Sequence, residues 1–224
     1  MRKLISNTFV SLDGVMQAPG GPEEDPSSNF KHGGWSAGYW DEMMGEVMDA
    51  ATSRPFDLLL GRKTYDIFSA FWPLAEGDPE QGSMAKKLNS ATKYVASRSL
   101  KKADWKTSHI LQDAAKDVAK LKEGDGPEIQ VHGSANLLQT LTKHNLIDEY
   151  RVWTFPVVLG SGKRLFEEGV PAGGLEVSDS KTSSTGVVIA TYKPAGAIKG
   201  GSFALADEAT QREAEQRMKA AASR

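Results

Sequence analysis

The chain has 224 residues, of which 39% are hydrophobic and 25% are charged, and its formal net charge is −2. This composition is ordinary for one globular domain, and the near-neutral balance argues against a protein that binds nucleic acid or a membrane surface. Cysteine is absent, which excludes disulfides, a cysteine nucleophile and thiolate metal sites. The first residues lack the apolar run of a secretion signal, and no stretch approaches the ~20 apolar residues of a membrane span. We therefore expect a cytoplasmic protein.

Strand and helix patterns alternate along most of the chain. The apolar run Leu4–Leu12 predicts a first strand, and a long loop rich in Gly, Pro and Ser follows at 18–38. Helices are predicted for Tyr39–Ala51, Thr64–Phe71, Lys116–Leu121 and Ala135–His144, and strands for Phe56–Leu60, Lys93–Ala96, Glu128–Val131 and Tyr150–Leu159.

Two adjacent strand patterns, Leu175–Thr182 and Gly186–Tyr192, predict a terminal antiparallel hairpin. Alternating strands and helices followed by strands indicate an α/β fold, with a mostly parallel central sheet, antiparallel C-terminal strands and helices on both faces. After Pro194 the chain becomes Gly-rich and then charged. We therefore predict one domain at 1–194, followed at 195–224 by a Gly-rich linker and a charged helix or tail.

Three turns at predicted strand ends carry candidate anion-binding residues. Gly61, Arg62, Lys63 and Thr64 stand where a buried strand meets a helix. The free N–H groups and positive dipole end of such a helix attract anions, and two cations strengthen the attraction. Solvated charges with a threonine cap are the alternative interpretation of this turn.

The other two turns also favour a phosphate ligand. Gly133, Ser134 and Ala135 join another strand to a helix through small residues that allow a close backbone approach, although tight packing alone explains such a turn equally well. Ser97 and Arg98 end the strand that begins at Lys93. Ligands bind beyond the carboxyl ends of parallel strands. Together the three turns suit the pyrophosphate and the 2′-phosphate of NADPH.

Five segments, in this order and spacing, give the chain a family resemblance. They are SLDG at Ser11–Gly14, LLLGRKTYDIF at Leu58–Phe68, FWP at Phe71–Pro73, VHGSANLLQTL at Val131–Leu141 and DEYRVWTFPVVLGSGKRLF at Asp148–Phe166. Over residues 3–193 the chain resembles the dihydrofolate-reductase superfamily, in particular the branch typified by the reductase domain of the riboflavin-biosynthesis protein RibD. The segment after the second strand, YDIFSAFWPLAEGDP, lacks the arginine of the riboflavin enzymes.

The resemblance implies a dihydrofolate-reductase-like fold and an NADPH site. It places Arg62 near the 2′-phosphate, Ser97 and Arg98 on the adenosine-phosphate side, and the mobile loop beside the nicotinamide at SLDG and the residues after it. The cofactor-binding residues that it implies are Gly61, Arg62, Lys63, Thr64, Ser97, Arg98, Gly133, Ser134, Ala135, Asn136 and Leu137. No metal site is expected, because the four histidines lack metal-ligand spacing.

The substrate side leaves alternatives open. Trp35 and Tyr39 could stack on a flat heterocycle or anchor the long loop. Gly160, Gly162 and Lys163 could hold a substrate phosphate or form only a turn. Asp13 could donate the proton of a reduction or shape the turn after the first strand. On the first helix, Asp41, Glu42, Glu46 and Asp49 could hold a pterin or be exposed acids.

These observations favour a reductase of the riboflavin-biosynthesis type, which delivers hydride from NADPH to a small heterocycle or carbonyl. A pterin or folate reductase is the alternative within the same class, and a non-catalytic nucleotide-binding or oligomerisation module is the alternative outside it. The two terminal strands, Leu175–Thr182 and Gly186–Tyr192, should form the antiparallel margin of the sheet, and the apolar triplet Val187–Ile189 within them predicts a homodimer.

Overall fold

The computed structural model describes residues 1–201 and 203–223; Ser202 and Arg224, which belong to the predicted linker and tail, lie outside the described residues. The strands are β1 (Leu4–Ser11), β2 (Phe56–Gly61), β3 (Lys93–Ala96), β4 (Ser108–Leu111), β5 (Glu128–His132), β6 (Glu149–Phe155), β7 (Leu175–Thr182) and β8 (Val188–Pro194). The α-helices are α1 (Glu42–Ala51), α2 (Arg62–Phe71), α3 (Gly82–Ser90), α4 (Ala114–Glu123), α5 (Ala135–Lys143) and α6 (Glu208–Ala222).

The strands form one eight-stranded sheet in the order β4-β3-β2-β5-β1-β6-β8-β7. Strands β1 to β6 run parallel to one another. Strand β8 lies antiparallel to β6, and β7 lies antiparallel to β8 at the margin. The prediction of a mostly parallel α/β sheet with antiparallel C-terminal strands is therefore confirmed.

Helices cover both faces of this sheet, because the central strands are apolar on both sides. Leu58 and Leu60 of β2 face the side where α2 and α3 pack, whereas Leu59 faces the side of α4 and α5. Helix α1 lies on the first side, where the buried Met44 meets Trp153 of β6. The helices thereby leave the carboxyl edge of the parallel strands to loops.

Several element boundaries differ from the sequence prediction for local reasons. Helix α1 begins at Glu42 rather than Tyr39, because the Asp41 side chain caps it by accepting a hydrogen bond from the Met44 N–H at 2.9 Å. Strand β6 ends at Phe155 rather than Leu159, since Pro156 cannot donate to a strand ladder. Helix α3 and strand β4 had no sequence prediction.

The long loop at 18–38 carries the short 3-10 turn Ser27–Asn29, and a second such turn, Ala37–Tyr39, follows it. Its Phe30 is buried with Val15 and Ala18, and this contact holds the loop against the residues that follow β1. At the other end of the chain, α6 has no buried residue. The loop is therefore part of the domain, whereas α6 adds little to its core.

Candidate functional site

The carboxyl ends of the parallel strands meet at one edge of the sheet, and the predicted turns lie there. Strand β2 ends at Gly61 and α2 begins at Arg62; strand β5 ends at His132 and α5 begins at Ala135. Strand β3 ends at Ala96, next to β2 in the sheet. The fold therefore brings three turns that are distant in sequence to the edge where α/β proteins bind ligands.

The two strand–helix turns contact each other directly through Ser134. The Gly61 N–H donates to Ser134 Oγ at 2.9 Å, and Ser134 Oγ donates to Thr64 Oγ1, also at 2.9 Å. A Cβ atom on Gly61 would lie 3.3 Å from Ser134 Cβ and 3.6 Å from Leu137 Cβ. Glycine at this position therefore allows the two turns to approach closely.

Both helices begin with free backbone donors. Gly61 and Ser134 are the N-caps of α2 and α5, and neither cap residue has a side chain that accepts a hydrogen bond from the first turn of its helix. Gly133 and Ser134 have φ values of 68° and 67°, and a Cβ on Gly133 would meet nothing within 4 Å. The amides of two neighbouring helix starts thus remain available to an anion in an open space.

Three cations surround these turns. The Arg62 Nε donates to both carboxylate oxygens of Asp66, at 2.9 and 2.8 Å, on the exposed surface of α2. The Lys63 Nζ lies 4.0 Å from Asp25 Oδ1, and its side chain is 58% exposed. Arg98 is exposed at the end of β3. All three cationic side chains are therefore exposed at the edge where the turns meet.

The other residues predicted to bind the cofactor have different local surroundings. The Ser97 hydroxyl is occupied in a local turn, where it accepts from the Leu100 N–H at 3.0 Å. Ala135 and Leu137 are buried in the core cluster, so only their backbone can face a ligand. Asn136 is exposed, and its carbonyl accepts from Thr140 Oγ1.

Asp13 braces two loops against each other. Its carboxylate accepts hydrogen bonds from Ser11 Oγ at 2.6 Å, from the Leu159 N–H at 3.1 Å and from the Gly160 N–H at 2.9 Å. The hydrogen bond from Ser11, joined by those backbone N–H groups, lowers the pKa of Asp13 to about 2. The carboxyl holds no proton at neutral pH, and its contacts correspond to the turn-shaping alternative.

Trp35 and Tyr39 pack against the end of β6. The Trp35 Nε1 donates to the Gln17 carbonyl at 2.8 Å, and the ring meets Phe155 edge-on at 5.2 Å. The Tyr39 ring also meets Phe155 edge-on, at 5.8 Å, and its carbonyl accepts from Thr185 Oγ1. These contacts are the ones expected of residues that anchor the long loop.

Lys163 is bound to the same loop. Its Nζ donates to Asp25 Oδ2 at 2.5 Å and to Ser27 Oγ at 3.1 Å, while its N–H donates to Gln17 Oε1 at 3.1 Å. Gly160 and Gly162 have φ values of 76° and 128°. A shallow cavity of about 290 Å³ adjoins this turn, lined by Gln17, Ser28, Phe30, Ser161, Gly162, Lys163 and Glu167.

The hydrogen bonds from Lys163 to Asp25 and Gln17 were not predicted, because neither acceptor residue belongs to a periodic pattern or a motif.

The acids of the first helix differ from one another in their contacts. Asp41 caps α1 and accepts from the Ser184 N–H at 2.8 Å, and Asp49 pairs with Lys87 at 3.0 Å. Glu42 and Glu46 are exposed.

Residues 1–201 and 203–223 contain no group of three or more His, Asp or Glu side chains placed to hold a metal ion. No helix in the same part of the chain has both the length and the apolar character needed to cross a lipid bilayer.

Comparisons with known proteins agree with this architecture. The chain is 29% identical over 195 residues to the uncharacterized protein YyaP of Bacillus subtilis (strain 168), covering 85% of this chain and 94% of YyaP. It is 31% identical over 171 residues to the uncharacterized protein YwjB of the same organism, covering 75% of this chain and 84% of YwjB.

Solved structures share the fold at low sequence identity. A protein of Shewanella sp. PV-4 assigned to riboflavin biosynthesis superimposes with a TM-score of 0.59 at 21% identity, covering 87% of this chain and 99% of that one. A pyrimidine reductase-like protein of Corynebacterium diphtheriae NCTC gives a TM-score of 0.53 at 10% identity, covering 89% and 93%. Dihydrofolate reductase of Enterococcus faecalis, complexed with NADP(H), gives a TM-score of 0.53 at 11% identity, covering 86% of this chain and 96% of that one.

The family model described as RibD C-terminal domain matches residues 2–189, which is nearly the whole domain and stops before the charged tail. The matched region contains both strand–helix turns and every strand through the first residues of β8. The chain therefore belongs to the RibD C-terminal domain family, a family of reductase-like proteins with the dihydrofolate-reductase fold.

Proposed function

We propose that this chain is an NADPH-dependent reductase that transfers hydride to a C=N or C=O group of a small heterocycle or carbonyl compound. The observation that carries the proposal is the contact between the two strand–helix turns, in which Ser134 bonds to Gly61 and Thr64. This contact places two sets of free helix-start amides next to each other, as a ligand with several phosphates requires. The family membership supports the same function.

The residues present fit the cofactor. The amides that begin α2 and α5 would hold the pyrophosphate, with Gly133 leaving open space for it. Arg62, Lys63 and Arg98 would face the 2′-phosphate, because their side chains are exposed at the same edge. Arginine forks and a lysine charge are the usual partners of a phosphate monoester.

When bound, NADPH would supply the hydride that reduces the electrophilic carbon, and NADP⁺ would be the product. The protein would orient the reactants, and the heteroatom that gains electrons would need one proton. Asp13 is ionised, since its pKa is lowered to about 2 by the Ser11 hydrogen bond and by backbone N–H groups. We therefore propose water as the source of this proton.

Titration calorimetry with NADPH and NADH tests cofactor binding. NADPH should bind more tightly, because each charge-assisted contact to the 2′-phosphate contributes about 1.5–3 kcal/mol before desolvation, or roughly 10- to 100-fold. Arg62→Ala should reduce this preference, whereas Lys143→Ala, at the opposite end of α5, should leave it unchanged. Equal affinity for the two nucleotides would overturn the 2′-phosphate assignment.

A catalytic role needs a separate experiment. Oxidation of NADPH, followed by the loss of absorbance at the nicotinamide band, should appear with at least one member of a panel of heterocycles and small carbonyls. Tight NADPH binding without turnover on any member of the panel would instead favour a non-catalytic nucleotide-binding module.

A further inference from the structure

The loop at residues 97–107 joins β3 to β4 and begins beside the first turn of α2. Gly61 at the end of β2 pairs in register with Ala96 at the end of β3, and neighbouring strands lie ~4.8 Å apart. Arg62 follows Gly61 directly, and Arg98 stands two residues after Ala96. The contacts that hold this loop against α2 therefore set the position of Arg98 relative to Arg62.

The loop is attached to α2 on its buried side, through Trp105. This residue is 7% exposed and belongs to the apolar cluster that contains Tyr65 of α2, which is 4% exposed. The centroids of the two rings are 6.3 Å apart. Leu100 and Ala103 of the same loop pack against this cluster, whereas Arg98 is exposed. The loop thus presents its arginine to solvent while its tryptophan lies in the core.

Hydrogen bonds fix Trp105 on two sides. Its backbone N–H donates to Tyr65 Oη at 3.1 Å, and its indole Nε1 donates to Asn89 Oδ1 of α3 at 2.8 Å. The orientation of the Asn89 amide is fixed, because its Nδ2 donates to the Trp72 carbonyl at 3.0 Å and a carbonyl can only accept. Both N–H groups of Trp105 are therefore satisfied inside the fold, one by α2 and one by α3.

A buried lysine holds the end of the loop. Lys93 is fully buried, and its Nζ lies 4.3 Å from the centroid of the Trp105 ring, within reach of a cation–π interaction. The same atom donates to the carbonyls of Asn89 at 2.6 Å and Lys106 at 3.1 Å. Burial lowers the pKa of Lys93 to about 8, so the amine is still mostly protonated at neutral pH. These contacts hold Trp105 in one position relative to α3.

The Tyr65 hydroxyl can be removed from this arrangement without removing the ring packing. Without it, the buried N–H of Trp105 would lose its acceptor, and an unpaired N–H is costly in the interior. Because Trp105 is 7% exposed, water could replace the acceptor only if the loop moved away from α2. Such a movement would displace Arg98 from Arg62 and Lys63.

We infer that Tyr65 is a positioning residue for the 2′-phosphate of the cofactor. By accepting the hydrogen bond from the Trp105 N–H, it holds the loop at 97–107 against α2. In that position Arg98 and Arg62 reach the same phosphate. The inference rests on the proposed NADPH-dependent function, and it assigns part of the preference for NADPH over NADH to residues that touch neither nucleotide.

Calorimetry with NADPH and NADH on the full chain tests this role, because the two nucleotides differ only in the 2′-phosphate. Tyr65→Phe removes the acceptor and keeps the ring. It should lower the ratio of the two affinities about three- to tenfold, through weaker binding of NADPH, while the affinity for NADH stays within about twofold. An unchanged ratio, or an equal loss for both nucleotides, would overturn the inference.

Tyr150→Phe is the matched control. Tyr150 is also buried, at 5% exposure, and its hydroxyl bonds to Thr142 Oγ1 at 3.2 Å on the α5 side of the sheet. The variant loses one hydroxyl hydrogen bond, as Tyr65→Phe does, but leaves the loop at 97–107 in place. Its affinity ratio should equal that of the wild type. A ratio lowered equally in both variants would show that a general loss of stability is responsible, and it would also overturn the inference.

A second variant acts on Trp105 from α3 and leaves α2 unchanged. Asn89→Ala removes the acceptor of the indole N–H and should lower the same ratio in the same direction. If Tyr65→Phe does not fold, an unchanged ratio in Asn89→Ala overturns the inference. Equal affinity of the wild-type chain for the two nucleotides would overturn the proposed 2′-phosphate assignment itself. A wild-type preference that persists in both variants would overturn only the present inference.

Discussion

Gly133 combines a left-handed backbone conformation with open space beside the start of α5. Its φ of 68° is followed by 67° at Ser134, and a left-handed conformation costs a non-glycine residue about 1–2 kcal/mol. Ser134 accepts this strain while bonding to Gly61 and Thr64. A Cβ atom on Gly133 would have no neighbour within 4 Å, so packing does not explain the glycine.

Replacing Gly133 by valine separates the effect of backbone strain on stability from the effect of the side chain on NADPH binding. The variant should bind NADPH at least about tenfold more weakly, because the side chain would enter the space next to the helix-start amides. Gly169→Val is the control, since Gly169 also has a positive φ of 83° and open surroundings but lies outside the site. The melting temperatures of the two variants should fall by similar amounts. Calorimetry should show weaker NADPH binding only in Gly133→Val. Normal NADPH binding by Gly133→Val would contradict the pyrophosphate assignment.

Asp13 gives a prediction about pH. The hydrogen bond from Ser11 is the main cause that lowers its pKa from 3.8 to about 2. A carboxyl whose folded-state pKa is depressed stabilises the fold above its unfolded pKa, and that contribution disappears as the pH falls through the folded pKa. The stabilisation should therefore be complete above about pH 4 and lost by about pH 2.

The variant Asp13→Asn should be about 1 kcal/mol less stable at pH 7, a value reduced for solvent screening of this surface carboxylate. Its free energy of unfolding in urea should then fall less between pH 4 and pH 2 than that of the wild type. If the two proteins show parallel acid dependence, Asp13 does not hold the loops together. The pH profile of NADPH oxidation should be the same in both, because an ionised Asp13 donates no proton.

At the scale of elements, the sequence predicted what local patterns encode. Strands β3 and β7 were predicted at their observed bounds, and β1 to within one residue, because apolar runs and turn residues delimit them. Helix α3 was missed because it begins at Gly82 with no side-chain cap, and it is held instead by the burial of Ala85 and Leu88. Strand β4 has three half-buried residues and the exposed His109, and its existence depends on pairing with β3.

The site shows the same division. Each strand–helix turn was recognisable locally, but the hydrogen bond from Gly61 to Ser134 joins residues 73 positions apart. The pairing of Asp25 with Lys163 spans 138 positions. Contacts of this kind depend on sheet order and register, which no local pattern of Gly, Lys or Asp contains.

The long loop depends on the element-scale contact between Asp25 and Lys163. Burial pushes the pKa of Asp25 upward, and the hydrogen bonds from Lys163 and Ser27 outweigh burial, so the net pKa is lowered. Asp25→Asn should lower the free energy of unfolding by about 2 kcal/mol, because Lys163 loses its partner while one-third exposed. It should also speed proteolytic cleavage within 18–38.

Asp104→Asn is the control for this prediction. It removes the ion pair between Asp104 and Lys102, whose side chains are 75% and 82% exposed, respectively. Exposed pairs of this kind contribute little to stability. Equal protease sensitivity of the two variants would show that Asp25 does not fasten the loop.

At the scale of the whole molecule, the sheet has two unlike margins. Strand β4 is short, whereas β7 is eight residues long and exposed throughout. Val187 and Ile189, on which the sequence prediction of a dimer rested, are buried, because β8 lies between β6 and β7 and these two residues face the core. Apolar surface at this margin comes instead from Leu175, Val177 and Val188, at 44%, 58% and 39% exposure. The bulge between Val177 and Asp179 and the charges of β7 offer only partial protection against edge pairing. We propose that a second copy of the chain covers this margin.

The tail has a separate role in this arrangement. We propose that the domain ends at Pro194 and that the linker and α6 are appended to it, because α6 buries none of its residues. A chain truncated after Pro194 should therefore melt within about 2 °C of the full chain, since surface changes usually alter stability by less than ~0.5 kcal/mol.

Sedimentation equilibrium of the two chains tests the dimer. The full chain, with a mass of 24.2 kDa, should sediment as a dimer at micromolar concentration, and so should the chain truncated after Pro194. Val177→Lys should shift both towards monomer, because a charge at the centre of an apolar contact must be desolvated. Val158→Lys, at a valine of 67% exposure in the loop after β6 and outside β7 and β8, should leave the dimer intact. A monomeric full chain would overturn the proposed dimer. If the full chain is a dimer and the truncated chain is a monomer, the subunit contact is made by the segment after Pro194 and not by β7.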